Sequence, residues 1–159
     1  MKFEKRKDRI IKSQALHWLR LKQRCAFIAT EVGDFQADVL GINEAKMIEI
    51  EVKISKSDLL NDIKKYKHQN YNGTQYGSQW QKRWIPTHFY YAVPSELIQD
   101  CKEYLEKHKL DKYGIINTAV FSVEKRAQWL HKNEPDSKAK FILALRMGSE
   151  LLRFHEAWL

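Results

Sequence analysis

The sequence predicts an α/β fold: a central mixed β-sheet flanked by helices, in the order α-β-β-β-α-β-α-β-β-α. Three observations predict it. Residues 25–53 hold three short apolar runs separated by two polar turns, the spacing of an antiparallel meander. The stretches before, between and after the strand-like runs carry apolar residues at helical spacing. Aromatic and apolar residues then concentrate in His88-Phe89-Tyr90-Tyr91-Ala92-Val93, ending at Pro94, as a strand requires. A chain of 159 residues suits one domain with a sizeable core. That core is expected at about 7–125, with a helical extension over about 126–159.

The elements follow in order. Residues 7–24 read as an amphipathic helix with Ile11, Ala15, Trp18 and Leu19 on the buried face and Lys12, Arg20, Lys22 and Arg24 among its polar residues. Residues 25–32 read as a buried strand, and Gly33-Asp34-Phe35-Gln36 as a turn. Residues 37–42 and 47–53 are the next two strands, joined by Asn43-Glu44-Ala45-Lys46. Ser55 followed by Asp58 signals a helix start, with the helix running to about His68 and burying Leu59, Leu60, Ile63 and Tyr66. Residues 67–86 lack clean periodicity and read as a long polar, aromatic loop. Beyond strand 88–93, Ser95 is a candidate cap for a helix that buries Leu97, Ile98, Cys101, Tyr104 and Leu105. Short strands are expected at 113–117 and 120–123. A last helix is expected over about 138–157, burying Phe141, Ile142, Leu145 and Leu152, with Trp158 as a further candidate.

Composition narrows the function. An apolar share of 43% suits a globular chain, and 28 Lys+Arg against 20 Asp+Glu leave a formal charge of +8. Such a surface suits nucleic acid or another polyanion, although charge also serves solubility. Cys25 and Cys101 lie in apolar stretches without CxxC spacing and read as reduced, buried thiols. The charged N-terminus is not followed by the apolar segment of a signal peptide, and no run approaches membrane-helix length, so a cytoplasmic protein without membrane partners is expected. The six histidines show no HExxH or zinc-type spacing, and neither a GxxxxGK[ST] phosphate loop nor a GxSxG elbow occurs.

The chemistry concentrates in Asp38, Glu51 and Lys53. Alternation along a strand puts Glu51 and Lys53 on one face, and closure of the turn by Ile42 and Met47 sets Asp38 opposite Glu51. Glu31 falls opposite Asp38 in the same way and is a third candidate ligand. Carboxylates beside an ammonium suit a hard cation, Mg²⁺ or Mn²⁺, that activates water against a phosphodiester. A polar outer strand face, or a carboxylate simply paired with Lys53, would give the same residues. The runs around them are apolar enough to bury them, and buried acids need a partner or a metal. The helix behind carries Asp58, Asp62, Lys64 and Lys65, which could aim an ammonium at a phosphate or form internal ion pairs on a solvated face. The 67–86 loop combines Tyr71, Tyr76, Trp80 and Trp84 with Lys67, His68, Lys82 and Arg83. Aromatics stack on unpaired bases while cations hold the backbone; a packed loop edge is the alternative.

Ala37-Asp38, then Glu51-Val52-Lys53, within an α-β-β-β-α-β core resembles the PD-(D/E)xK nuclease superfamily and its restriction-endonuclease-like fold. The longer stretch from Glu51 to His68, with Phe89-Tyr90-Tyr91-Ala92-Val93-Pro94, looks like the MmcB-related DNA-repair nuclease group. The resemblance covers roughly 25–125. It implies a Mg²⁺- or Mn²⁺-dependent deoxyribonuclease in which Asp38 and Glu51 hold metal and Lys53 is the catalytic lysine. Asp62 and Lys64 match a recurrent acid–lysine pair. The chain departs from the pattern in two places: Ala37 stands for the motif's proline, and no acid lies between Arg9 and Thr30 where many members carry a first-helix glutamate. DNA is the expected partner, RNA a weaker one, and a homodimer is compatible with the fold. Repair or phage DNA metabolism would suit such an enzyme, and a non-catalytic nucleic-acid-binding protein is the alternative.

Overall fold

In a computed structural model, residues 2–71 and 85–156 are described, with the side chains of 2–5 and 154 set aside. The chain forms a six-stranded mixed sheet flanked by helices. Helix α1 spans Lys2–His17 and continues as a π-helical turn over Trp18–Lys22. Strands β1 (Phe27–Val32), β2 (Ala37–Ile42) and β3 (Met47–Val52) form the expected antiparallel meander. Strand β4 (His88–Val93) lies parallel to β3, β5 (Gly114–Asn117) parallel to β4, and β6 (Ser122–Lys125) closes the far edge antiparallel to β5. Strand order is β1 to β6 in sequence.

Local chemistry explains the joints. Asn43 Oδ1 accepts from the backbone N–H groups of Ala45 (3.0 Å) and Lys46 (2.7 Å), so the β2–β3 turn closes on the Ile42–Met47 pair. Gly41 is required where α1's π-helical turn crosses β2: a Cβ there would stand 2.9 Å from Leu19. Ile11, Ala15 and Leu19 recur at i, i+4, i+8 and pack on Val39, Ile48, Ile50 and Val52, forming an apolar layer on one sheet face. On the opposite face, α4 (Ile98–Lys107) packs Cys101, Tyr104 and Leu105 against Phe89, Tyr91 and Val93.

Several expectations are corrected. The helix after β3 is not continuous to His68. It is α2 (Lys56–Asn61), capped by Ser55 Oγ accepting from Asp58 N (3.2 Å), then a 3₁₀ turn over Asp62–Lys64, an extended Lys65, and a short α3 (Lys67–Tyr71). Leu60 and Tyr66, expected inside, are exposed. Residues 67–71 are thus helical rather than loop, while Tyr76, Trp80, Lys82, Arg83 and Trp84 lie outside the described residues. Ser95 does not cap α4; it begins a 3₁₀ turn and donates to Asn117 Oδ1.

The largest correction concerns the last helix, α5 (Ser137–Glu156). Phe141 (62% exposed), Leu145 and Leu152 face outward, and Ala139 and Leu143 make the buried contact with Phe35, Leu40, Ile42 and Met47. Of the expected stripe Ile142 packs, partly buried, on this cluster; the rest turns outward because α5 lies along the sheet's first edge, where polar groups also need partners. Thr30 N–H and Oγ1 donate to Glu150, Thr30 O accepts from Arg146 Nε (3.0 Å), and Ile28 N–H is met by Met147 Sδ (3.3 Å). Trp158 lies outside the described residues.

Candidate active site

The β2–β3 ladder runs to the Val39–Ile50 pair, so Asp38 and Glu51 are the next residues in register, as the sequence predicts. Instead of extending the ladder there, Asp38 Oδ2 accepts from Val52 N–H at 2.9 Å. The carboxylate is thereby held at the strand end, beside Glu51. Burial raises the Asp38 pKa first, and the neighbouring Glu51 charge raises it further, against the Val52 N–H and the charges of Lys12 and Lys53.

All six residues of β3 are buried, and its two faces divide sharply. Ile48, Ile50 and Val52 enter the apolar layer under α1. Alternation sends Glu49, Glu51 and Lys53 to the other face, where α2, the 3₁₀ turn and α3 supply opposite charges. Glu51 Oε1 accepts from Lys53 at 3.0 Å and from Lys65, and Oε2 accepts from Lys67 at 2.8 Å. Burial alone would push the Glu51 carboxyl up, but Lys67 and Lys53 hold it below its ordinary value. Lys53 also stands 2.8 Å from Asp62. Burial opposes its charge, yet Glu51 and Asp62 keep its ammonium above the usual lysine range.

A second layer lies beneath. Asp62 Oδ2 is 2.7 Å from His68 Nε2 and accepts from the Tyr91 hydroxyl at 2.7 Å, while His68 Nδ1 meets the Tyr113 hydroxyl at 2.9 Å. His68, Lys53 and Lys65 outweigh burial and hold Asp62 well below the carboxylate range. Glu49 accepts from Lys67 (2.7 Å) and from the Tyr71 hydroxyl (2.7 Å). Its burial is complete and lifts its pKa to about 7, with the Lys67 charge pulling the other way.

The break before α3 explains this convergence. On a continuous helix, Lys67 would stand five residues past Asp62, about 140° away around the axis at 3.6 residues per turn. The extended Lys65 resets the direction, so Asp62, Lys65, Lys67 and His68 all reach the β3 face.

These positions bear on the residues expected to contact phosphate. Asp62, Lys67 and His68, expected at a nucleic-acid surface, are buried and turned toward each other or toward Glu49 and Glu51. Tyr71 is likewise buried on Glu49 rather than free to stack on a base. Lys64 is exposed and donates to Asn61 Oδ1, and Lys65 is the partly exposed member of the network. Lys82 and Arg83 lie outside the described residues.

Glu31 does not join Asp38 and Glu51. Its backbone is left-handed (φ 50°), its side chain is 59% exposed, and it pairs with Lys12. Lys12, which the sequence places on the polar side of α1, is instead buried, 3.0 Å from Asp8 and 3.7 Å from Asp38. Its burial works against its charge, but Glu31, Asp38 and Asp8 raise its pKa. An ammonium from α1 thus bridges Glu31 and Asp38. Lys12, Glu49, Tyr91 and Tyr113 are absent from the expected site. Glu49 was legible as the third member of the alternating Glu-x-Glu-x-Lys set; the others are brought in by packing.

Among the described residues, no three His, Cys, Asp or Glu side chains surround one point as a metal cage would. The acids that do adjoin, Asp38 and Glu51, are hard oxygen donors, and Mg²⁺ needs few protein ligands because it retains several waters. Asp38 Oδ1, whose neighbour is Lys12 at 3.7 Å, is the oxygen best placed to accept one. The two carboxylates are of the donor type such an ion takes, and both Glu51 oxygens already accept from lysine ammonium groups, so an ion there would have to displace one. No protein-family model matches the chain, and neither a curated protein nor a solved structure matches it.

Proposed function

We propose that this protein is a Mg²⁺- or Mn²⁺-dependent DNA endonuclease of the restriction-endonuclease-like kind. One observation carries the reading: Asp38, pinned by the Val52 N–H, sits in register with a buried Glu51 that shares its strand face with Lys53. Asp38 and Glu51 would hold the metal; when bound, such an ion lowers the pKa of its water and offsets charge on a phosphodiester. Lys53 is protonated at neutral pH, since Glu51 and Asp62 keep its pKa raised. Its contribution is therefore to orient water or phosphate by donating hydrogen bonds, not to abstract a proton. Asp62, itself tied to His68 and Tyr91, holds that ammonium in place.

Two further features support a nucleic-acid substrate. The formal charge is +8. A groove of about 570 Å³ opens between α1 and the carboxyl ends of β4 and β5, lined by Arg6, Lys7 and Glu96 together with Ile10, Ile11 and Pro94. Carboxyl ends of parallel strands are where sheets of this type offer crevices to ligands.

Incubation with labelled single-stranded, duplex and branched DNA, with and without Mn²⁺, tests the reading. Metal-dependent cleavage should fall at least about 100-fold in Asp38→Asn and Lys53→Met, with DNA binding retained. The same assay on RNA decides the nature of the strand. One observation favours the competing reading, a non-catalytic nucleic-acid-binding protein: both Glu51 oxygens already meet ammonium groups. Binding without cleavage on every substrate would establish it.

A further inference from the structure

Glu51 carries one negative charge and meets three ammonium groups, those of Lys53, Lys65 and Lys67. The three are not equivalent. The Lys53 side chain is 4% exposed and has a second buried partner, Asp62, at 2.8 Å. Lys67 is 6% exposed and is also bound to Glu49 and to the carbonyl of Gln36. Lys67 cannot leave without stripping the buried Glu49 of its ammonium, and Lys53, enclosed between the buried Glu51 and Asp62, has no exposed side to swing toward. Lys65 is 39% exposed, and Asp62, its other partner at 2.9 Å, keeps Lys53 and His68 if Lys65 departs. Lys65 stands on the extended residue between the 3₁₀ turn and α3, and its four-carbon stem can swing outward.

We infer that Lys65 is a displaceable counter-ion: it neutralises Glu51 in the free protein and is released toward solvent, and toward a substrate phosphate, when a divalent cation enters between Asp38 and Glu51. The inference rests on the metal reading of that acid pair. A divalent ion at Glu51 repels every neighbouring ammonium, and the one with the weakest hold yields. Glu51 keeps Lys53 and Lys67, and Lys65 is the partly exposed member of its pair, so the exchange is cheap. On the opposite side, Lys12 adjoins Asp38 but is retained by Asp8 and Glu31. The device also keeps the acids compensated in the absence of metal.

The test combines Mn²⁺ calorimetry with reductive methylation of lysine amines read by mass spectrometry on the full chain. Added Mn²⁺ should raise the modification rate of Lys65 about fivefold, the factor a partly exposed ion pair is worth, while Lys53 and Lys67 stay protected. Lys65→Met should bind Mn²⁺ about fivefold more tightly than the wild type by the same reasoning. Lys56→Met removes an equal charge from α2, where Lys56 pairs with Asp100, without touching Glu51, and should bind Mn²⁺ like the wild type. Mn²⁺ binding with unchanged Lys65 labelling overturns the inference, as does an equal affinity gain in both variants. Absence of Mn²⁺ binding in the wild type and in Lys65→Met is a separate outcome, which removes the metal reading itself and the inference with it.

Discussion

The two faces of β3 solve burial in opposite ways. Under α1, Ile48, Ile50 and Val52 meet Ile11, Ala15 and Leu19, and any apolar residue of suitable volume would serve. On the other face, Glu49, Glu51 and Lys53 are equally buried, and each requires a particular partner at hydrogen-bond distance. Hydrophobic burial is non-directional and tolerant, whereas a buried charge is stable only when matched. The apolar face can therefore hold the sheet together while the charged face stores a chemically organised site.

Removing one partner from the charged face should give the largest effect. Lys67→Met leaves Glu49 and Glu51 facing each other with less compensation and should cost about 3–5 kcal/mol in denaturant unfolding. Adding Glu49→Gln to Lys67→Met should recover part of that loss, the non-additivity of groups that share one ion-pair network. Ile50→Ala alone should cost about 2–5 kcal/mol and be indifferent to pH, since it leaves only a cavity. Strict additivity across the charged face would mean that its members are independent, and the contrast would fail.

The pH dependence sharpens the same point. Glu49 has its folded pKa raised from an ordinary 4.5 to about 7. Between those values the native state binds the extra proton, so this group's contribution to stability is full below about 4.5 and is lost as pH rises toward 7. A shift of that size corresponds to an order of 3 kcal/mol. Glu49→Gln should remove this slope, measured as the difference between wild-type and variant unfolding free energies from pH 4.5 to 8. Glu51 and Asp62, whose pKa values are lowered, contribute in the other sense, their stabilisation being lost only as pH falls through their own folded values.

The smallest contrast lies on α5. Phe141→Ser should change stability by no more than about 0.5 kcal/mol, because Phe141 is exposed, while Leu143→Ala should cost about 2–5 kcal/mol. Equal losses in thermal unfolding would put the buried stripe back on Phe141, where periodicity alone assigns it.

Strand patterns were the most legible feature. Period-two alternation, a turn whose Asn43 side chain closes it, and the β-rich 88–93 run define β1 to β4 and their register closely enough to set Asp38 against Glu51. Helix faces were less legible. Leu60, Tyr66, Phe141 and Leu145 look like core in a helical projection, yet each is exposed, because a short or edge-lying helix buries only the side that reaches the sheet. The break at Lys65 carries no glycine or proline to announce it.

The sequence by itself determined the mixed α/β order, the strand register and the pairing of two acids with one lysine, because these depend on local alternation and short turns. Tertiary structure alone decided that Lys12 reaches Asp38, that Lys67 and His68 turn inward, that Glu49 is buried on Lys67 and Tyr71, and that Glu31 stays apart. The reason is physical: a lysine or histidine reads the same in sequence whether solvated or buried, and only the arrival of a distant carboxylate makes burial the lower-energy choice.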